Sequence, residues 1–215
     1  CTEGLESIKL LDQNVNVFKH ILFEDELDSL PIIKPVKNHP LDISFYAFSY
    51  LYHGTKAKND AYLNKGFEYL DYLVDYPKTV INDSTDIYSY PFSFSKMDPG
   101  WWSAMGNSAV AISFQLAFEI SGKAKFKEAS NRALNGVLAD VKIGGSSIEV
   151  SDSSGVIGNW FLEYANDSST FVNSKMVLNG YLFALININL INSTSPNPRL
   201  YAQYKNSVAA YSTLT

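Results

Sequence analysis

The sequence predicts an all-α fold of the α/α-toroid class, with helical hairpins stacked around an axis and short β-hairpins on the rim loops. Two observations predict it: a helix–turn–helix pattern recurs along the chain, and short β-prone segments separate its copies. An αα-hairpin cannot bury its apolar face alone, so repeated hairpins stack on one another. We expect an incomplete toroid in residues 39–215, preceded by an extended N-terminal arm in residues 1–38.

The copies of this pattern lie in residues 48–74, 114–141 and 177–214. The first two have predicted turns at Gly54 and Gly122, and the two glycines are 68 residues apart (122 − 54). Each of these glycines is closely followed by a Lys-Ala-Lys sequence. The third copy is weaker, and its turn is predicted around residues 193–198.

Helical spacing is clearest in the second helix of the first two copies, where apolar residues fall three or four apart. They are Leu63, Phe67, Leu70 and Val74 in one copy, and Phe126, Ala129, Ala133 and Val137 in the other. The segment from Val110 to Ile120 alternates like a strand. We nevertheless predict a helix there that is buried on most sides, because its hairpin partner is clearly helical. Residues 85–97 and 144–165 are the strand or β-hairpin candidates.

Composition excludes several classes of partner and site. The net charge of −5 and the absence of a basic block argue against nucleic acid. The 14 Tyr and 13 Phe suit a wet groove as well as a core. The sequence contains no run of eighteen apolar residues, so it predicts no transmembrane segment. His20, His39 and His53 lack metal-like spacing and no phosphate loop is present, so we expect structural histidines, no metal and no cofactor.

Cys1 is the only cysteine, so no internal disulfide forms. A chain that starts at Cys and continues with polar residues fits a processed bacterial lipoprotein with a lipid-modified Cys1. The alternative is an arbitrary boundary. From the first interpretation we expect an extracytoplasmic location, in the bacterial cell envelope or secreted.

The first candidate for a binding site is the stretch GWWSAMGN. Trp101 and Trp102 precede a helix start, where an indole can stack on the C–H face of a sugar ring. Ser103 and Asn107 lie within a turn of the indoles and can form hydrogen bonds with the hydroxyl groups of the sugar. The alternative is that both tryptophans belong to the core.

Two further candidates lie near the end of the chain. Glu163 and Tyr164 are adjacent, and a carboxylate beside a tyrosine is a possible acid/base pair. The alternative is a surface Glu beside a packing Tyr. Asn179 and Gly180 have low helix propensity within an apolar helix. Asn179 therefore needs a backbone or ligand partner, and Gly180 permits close approach of another element or a substrate.

Several of these segments together resemble the C-terminal domain of D-glucuronyl C5-epimerases, which invert glucuronate to iduronate in heparan-type polymers. The matching pieces are HPLDISFYAFSYLY, GWWSAMGNSAVAISFQLAFEISG, WFLEYA and VLNGYLFALININ, in this order between residues 39 and 190. The family domain is an α/α toroid. The resemblance implies that the polymer is an acidic, uronate-containing polysaccharide.

The resemblance also implies roles for single residues. Glu163 and Tyr164 match a Trp-x-x-Glu-Tyr motif and Asn179 a Leu-Asn-Gly motif, which makes Tyr164 and Glu163 the catalytic candidates. Further groove candidates are Tyr46, Tyr50 and Tyr181. This sequence departs from the family pattern in two places. Asn107 stands where the family usually has Gln, and the family's further catalytic tyrosines and an arginine would begin about where this chain ends.

Three hypotheses follow from the sequence. The first is an isomerase that inverts carbon 5 of glucuronate by removing and returning a proton. The second is a glycan-binding or structural domain without catalysis. The third is a uronate polysaccharide lyase, which begins with the same proton abstraction.

Overall fold

The computed structural model describes residues 39–153, 155–166 and 176–214, so the predicted arm and Cys1 lie outside the described residues. The described chain is mostly helical, with two antiparallel strand pairs. Its elements are α1 (Pro40–Ala57), α2 (Asp60–Val74), β1 (Thr79–Asn82), β2 (Thr85–Ile87), α3 (Ala104–Ser121), α4 (Ala124–Leu138), β3 (Ser147–Asp152), β4 (Gly155–Phe161), α5 (Leu178–Thr194) and α6 (Pro198–Leu214). The predicted helical hairpins and the strand pair in residues 144–165 are confirmed.

The first helices of the three hairpins pack side by side in the order α1, α3, α5, and each second helix folds back on this layer. Helix α3 is central, since it contacts α1, α4 and α5. Every residue from Gly106 to Ala117 is buried. The strand-like alternation of α3 therefore reflects a helix with apolar residues on all sides.

Polar bonds between the first helices fix their contacts. The Ser113 hydroxyl of α3 donates to the Ser44 carbonyl of α1 at 2.9 Å. On the other side of α3, the Asn187 amide of α5 donates to the Ser108 hydroxyl at 3.1 Å. Small side chains at these positions let the helices approach closely, and the bonds satisfy polar groups that would be costly to bury unpaired.

The first two hairpins have the same dimensions. Helices α1 and α3 both have 18 residues, and α2 and α4 both have 15. The starts of α1 and α3 differ by 64 residues (104 − 40), as do those of α2 and α4 (124 − 60). The predicted offset of 68 residues is therefore one helical turn too long.

The predicted turn at Gly54 is wrong, and this explains the difference. Gly54 lies within α1, where a Cβ atom would come within 2.9 Å of the Leu63 side chain of α2. Its role is close packing between helices. The left-handed residue that ends α1 is Lys58 (φ 52°), the counterpart of Gly122 (φ 68°) at the end of α3. The predicted turns at Gly122 and near residues 193–198 are confirmed.

The β1–β2 hairpin lies on α4 and is held by an ion pair whose carboxylate, Asp86, is buried. The Arg132 guanidinium binds both carboxylate oxygens of Asp86, at 2.8 and 2.6 Å, and also donates to the Asp83 carbonyl. The absence of a side chain at Gly136 lets the Asp86 backbone approach α4. The second hairpin, β3–β4, packs on α6 through β4.

Candidate functional site

The N-terminal ends of α1, α3 and α5 meet at one end of the molecule. His39 before α1 stacks on Phe92, and the tryptophan pair leads directly into α3. The segment after β4 pairs with this loop through Trp102 and Ala165, and it reaches α5 through Glu163. We call this end the rim, defined by His39, Tyr90, Phe92, Phe94, Trp101, Glu163, Tyr164 and Asn179.

The loop between β2 and α3 is held by backbone bonds that present its aromatic side chains. The Tyr90 amide donates to the Trp101 carbonyl and the Gly100 amide to the Tyr90 carbonyl, both at 2.7 Å. Gly100 has φ 102°, a conformation that favours glycine. Phe94 and Met97 close the tip by exchanging backbone bonds of 3.1 and 2.9 Å. The local backbone therefore fixes which rings face solvent.

The rim has a buried aromatic base and a more exposed aromatic layer. Trp101, 6% exposed, stacks on Tyr90 with ring centroids 4.0 Å apart, and its indole N–H donates to the Phe92 carbonyl. Phe94, 46% exposed, stacks on Tyr164 at 5.5 Å and contacts Trp101 at 5.6 Å. The partly exposed Phe94–Tyr164 pair on this buried base offers an aromatic surface for an apolar sugar face.

Glu163 caps helix α5 from outside the helix. Its Oε2 accepts a hydrogen bond of 3.1 Å from the Gly180 amide in the first turn. Val177, the N-cap residue of α5, makes no side-chain cap bond. A carboxylate at a helix N-terminus satisfies an open N–H group and is stabilised by the helix dipole.

Gly180 is required by this arrangement. A Cβ atom at this position would come within 2.6 Å of the Cβ and Cγ atoms of Glu163. The prediction that Gly180 permits close approach is confirmed, and the approaching group is the predicted catalytic carboxylate. Asn179, one residue earlier, is exposed in the same first turn.

Tyr164 is half-buried and bonded to Glu163. Burial raises its pKa to about 12, and the hydrogen bond to Glu163 and the charge of that carboxylate act in the same direction. The hydroxyl is therefore protonated at neutral pH. It suits a proton donor rather than a proton acceptor.

His39 lies on the same aromatic cluster. Its ring stacks on Phe92 at 5.6 Å and meets Tyr90 edge-on at 5.1 Å. Its Nδ1 accepts a 3.3 Å bond from the Asp42 amide, which makes His39 the N-cap of α1. The expected structural role of His39 is consistent with these contacts.

Three predicted binding residues next to the rim use their polar groups in hydrogen bonds within the protein. The Trp102 indole, 5% exposed, donates to the Gly145 carbonyl at 2.9 Å. The Ser103 hydroxyl accepts from the Gly106 amide and caps α3. Asn107 is fully buried, and its amide bonds both backbone groups of Tyr88 as well as the Ser103 carbonyl. These contacts are structural, and Trp102 belongs to the core rather than to a groove.

The predicted groove tyrosines pack elsewhere. Tyr181 is fully buried, stacks on Trp160 at 4.0 Å and donates to the Ser207 carbonyl. Tyr46 and Tyr50 contact the ring of Tyr69 on α2, at 6.1 and 5.9 Å. The structure therefore brings together Trp101, Glu163, Tyr164 and Asn179, but not the other predicted site residues.

Sequence reasoning missed Phe92, Phe94 and His39 as rim residues. For the two phenylalanines the signal is the alternation of aromatic and small residues in residues 85–97, which also fits a strand. In the three described segments, no group of His, Cys, Asp and Glu residues could hold a metal ion. No helix within them has the length and apolar character needed to cross a membrane.

Comparison with known proteins agrees with the resemblance noted in the sequence. The model of the D-glucuronyl C5-epimerase C-terminus matches residues 82–214, which include α3 to α6 and every rim residue except His39. An uncharacterised protein of Methanocaldococcus jannaschii is 25% identical over 176 residues, covering 76% of this chain and 55% of the relative. The chain thus spans about half the length of that relative. With more than half of its residues matched, the chain belongs to the D-glucuronyl C5-epimerase family, through the family's C-terminal domain.

Proposed function

We propose that the rim binds a uronate-containing polysaccharide and that Tyr164 and Glu163 move the proton at carbon 5 of a glucuronate residue. The observation that carries this proposal is the hydrogen-bonded Glu163–Tyr164 pair beside the exposed ring of Phe94. Family membership supports a role related to glucuronyl epimerisation. We also infer that the three hairpins form part of an α/α toroid.

The rim supplies the two kinds of contact that sugar binding needs. Phe94 and the half-buried Tyr164 offer ring faces for the C–H surface of a pyranose, in place of the buried indoles. Asn179 is exposed in the first turn of α5 and can bond a hydroxyl group.

Carbon 5 is acidic because the adjacent carboxylate takes up the electron pair when the proton leaves. Epimerisation then requires a proton to return to the opposite face, so two carriers are needed. Tyr164, protonated at neutral pH, suits the returning step as the donor. The Glu163 carboxylate takes the proton from carbon 5, and Tyr164 donates its own proton to the opposite face. The proton on Glu163 then passes to the Tyr164 oxygen across their hydrogen bond, which restores both groups.

Isotope exchange tests this proposal directly. The protein is incubated in heavy water with a heparosan-type glucuronate polymer, and deuterium at carbon 5 is measured by mass spectrometry and NMR. We expect exchange without unsaturated products, and loss of exchange in Tyr164→Phe. The matched control is Tyr72→Phe, because Tyr72 is a 38% exposed tyrosine on α2, away from the rim.

Other outcomes identify the alternatives. Unsaturated products would indicate a lyase. Binding without exchange would indicate a glycan-binding domain, which one observation favours: Glu163 has a structural role as the cap of α5. In that case Tyr164→Phe should leave affinity nearly unchanged, whereas Phe94→Ala should weaken it.

A further inference from the structure

A polar cleft of about 610 Å³ lies on the outer side of the helical layers, between α4, α6 and the β1–β2 turn. None of the rim residues lines it, so it is separate from the proposed substrate site. Nine of its fourteen lining residues are polar, and five of these are Asn or Gln: Asn82, Asn131, Asn135, Asn197 and Gln203. Its volume lies within the roughly 300–1,000 Å³ of small-molecule sites.

The cleft contains hydrogen-bonding groups that the protein does not use. The Oε1 atom of Gln203 is buried and has no partner. Asn135 donates to the Ser84 carbonyl at 2.8 Å, which leaves its own carbonyl oxygen open. Asn197 uses its oxygen to cap α6, which leaves its amide hydrogens open. A buried oxygen without a partner is costly, and a ligand hydroxyl would satisfy it.

The cleft is lined by one cation, Arg199, and one carboxylate, Asp140. Arg199 is exposed in the first turn of α6 and has no ion-pair partner in the part of the chain that the structure describes. Asp140 is the only acidic lining residue, and its Oδ1 accepts a 2.7 Å bond from the Lys142 amide. Arg199 is therefore the group that can bind a carboxylate through two parallel bonds.

We infer that this cleft is a second carbohydrate site, which binds a carboxylate-bearing oligosaccharide. Arg199 takes the carboxylate, and the amides of Asn131, Asn135 and Gln203 take the hydroxyl groups. A carboxamide presents a donor and an acceptor side by side, which matches a pair of neighbouring hydroxyls.

An extended peptide is the other ligand that amide side chains bind. A peptide site also needs apolar pockets for alternate side chains. Of the aliphatic lining residues, Leu134 and Leu200 are only 6% and 4% exposed and belong to the core, whereas Ile143 is 60% exposed. One exposed apolar side chain does not provide the series of pockets that a peptide needs. The polar lining therefore favours a glycan.

Side-chain amide signals in a ¹H–¹⁵N correlation spectrum of the full chain test this inference. The probe is a heparosan hexasaccharide, with a neutral cellohexaose for comparison. We expect the acidic sugar to shift the side-chain NH₂ signals of Asn131, Asn135 and Gln203, and the neutral sugar to shift them at least tenfold more weakly. Asn64, an exposed amide on α2, provides the internal control signal.

Variants separate the cleft from the rim. Arg199→Gln should weaken the cleft response at least tenfold and leave the shifts of Gly180 and Phe94 at the rim unchanged. Gln203→Met should act in the same direction, whereas Lys205→Gln on α6, outside the cleft lining, should have no effect.

The two proposals fail in different ways. Shifts at the rim without shifts in the cleft overturn this inference alone, and the reverse pattern overturns only rim binding. Shifts in the cleft that Arg199→Gln does not change would also overturn it. A cleft that responds to an unstructured acidic peptide instead of the sugar would assign it to a peptide.

Discussion

Asn107 gives the sharpest test of the structural assignment, because the sequence predicts it as a sugar ligand and the structure gives it another role. Its side chain is fully buried and bonds the amide and the carbonyl of Tyr88 at 2.8 and 3.2 Å. It thereby attaches the segment after β2 to the first turn of α3. A residue with no exposed surface and no open polar atom has nothing to offer a ligand.

The cost of Asn107→Ala follows from these bonds. The substitution removes the side-chain partner of two buried backbone groups, the amide and the carbonyl of Tyr88. The Ser103 carbonyl loses one hydrogen bond but still accepts a 2.9 Å bond from the backbone amide of residue 107. Two such groups at about 1–3 kcal/mol each give a loss of about 2–6 kcal/mol in unfolding free energy. For a chain of this size, at about 2–4 °C per kcal/mol, that corresponds to a Tm lower by roughly 4–24 °C.

Thermal unfolding followed by circular dichroism measures this loss, with Asn64→Ala as the matched control on an exposed amide. Glycan binding measured well below the transition should stay within twofold of wild type. The reasoning is refuted if Asn107→Ala keeps its Tm but loses glycan affinity, since that result would make Asn107 a ligand group.

Three further predictions concern backbone strain, the Asp86 ion pair and the rim tyrosine. Lys58→Gly should raise the unfolding free energy by about 1 kcal/mol and Gly122→Ala should lower it by a similar amount, because both positions have a left-handed backbone. Urea unfolding measures both changes, and changes in the same direction for the two variants would contradict this prediction. Arg132→Met should cost about 3–5 kcal/mol in the same assay by leaving Asp86 buried without its partner, and a loss below 1 kcal/mol would show that the pair is dispensable. The pKa of Tyr164 is raised to about 12, so its stabilising contribution is complete below pH 10 and is lost as pH rises towards 12. Burial raises the pKa of Tyr69 and Tyr76 to about 12 as well, so several tyrosines titrate late. The late tyrosinate absorbance should therefore be smaller in Tyr164→Phe by the share of one tyrosine, and an unchanged late transition would disprove the raised pKa of Tyr164.

Local chemistry predicted much of the fold. The helical spacing in α2 and α4 and the glycine at the end of α3 are properties of neighbouring residues, and both predictions are confirmed. The prediction of a turn at Gly54 is wrong because a sequence alone does not distinguish a glycine that ends a helix from a glycine that lets two helices pack closely. Only the position of Leu63 across the hairpin distinguishes them.

The candidate site was harder to predict because burial depends on tertiary contacts. Trp101 and Trp102 are adjacent, yet one forms the base of the rim and the other bonds Gly145 in the core. Phe94 is exposed because the loop tip turns there. The Leu-Asn-Gly motif did indicate a close approach at Gly180, although sequence spacing could not show that Glu163 is the group that approaches.

The position of α3 has a consequence for how the domain can be divided. The family match begins at residue 82 and therefore leaves out the first hairpin. Helix α1 of that hairpin covers one side of α3, whose residues from Gly106 to Ala117 are all buried. A fragment that starts at this sequence-defined boundary would expose the apolar flank of α3 to water and should aggregate. A fragment that starts at residue 39 would retain that cover, so a stable fragment has to begin before the residue at which the family match begins.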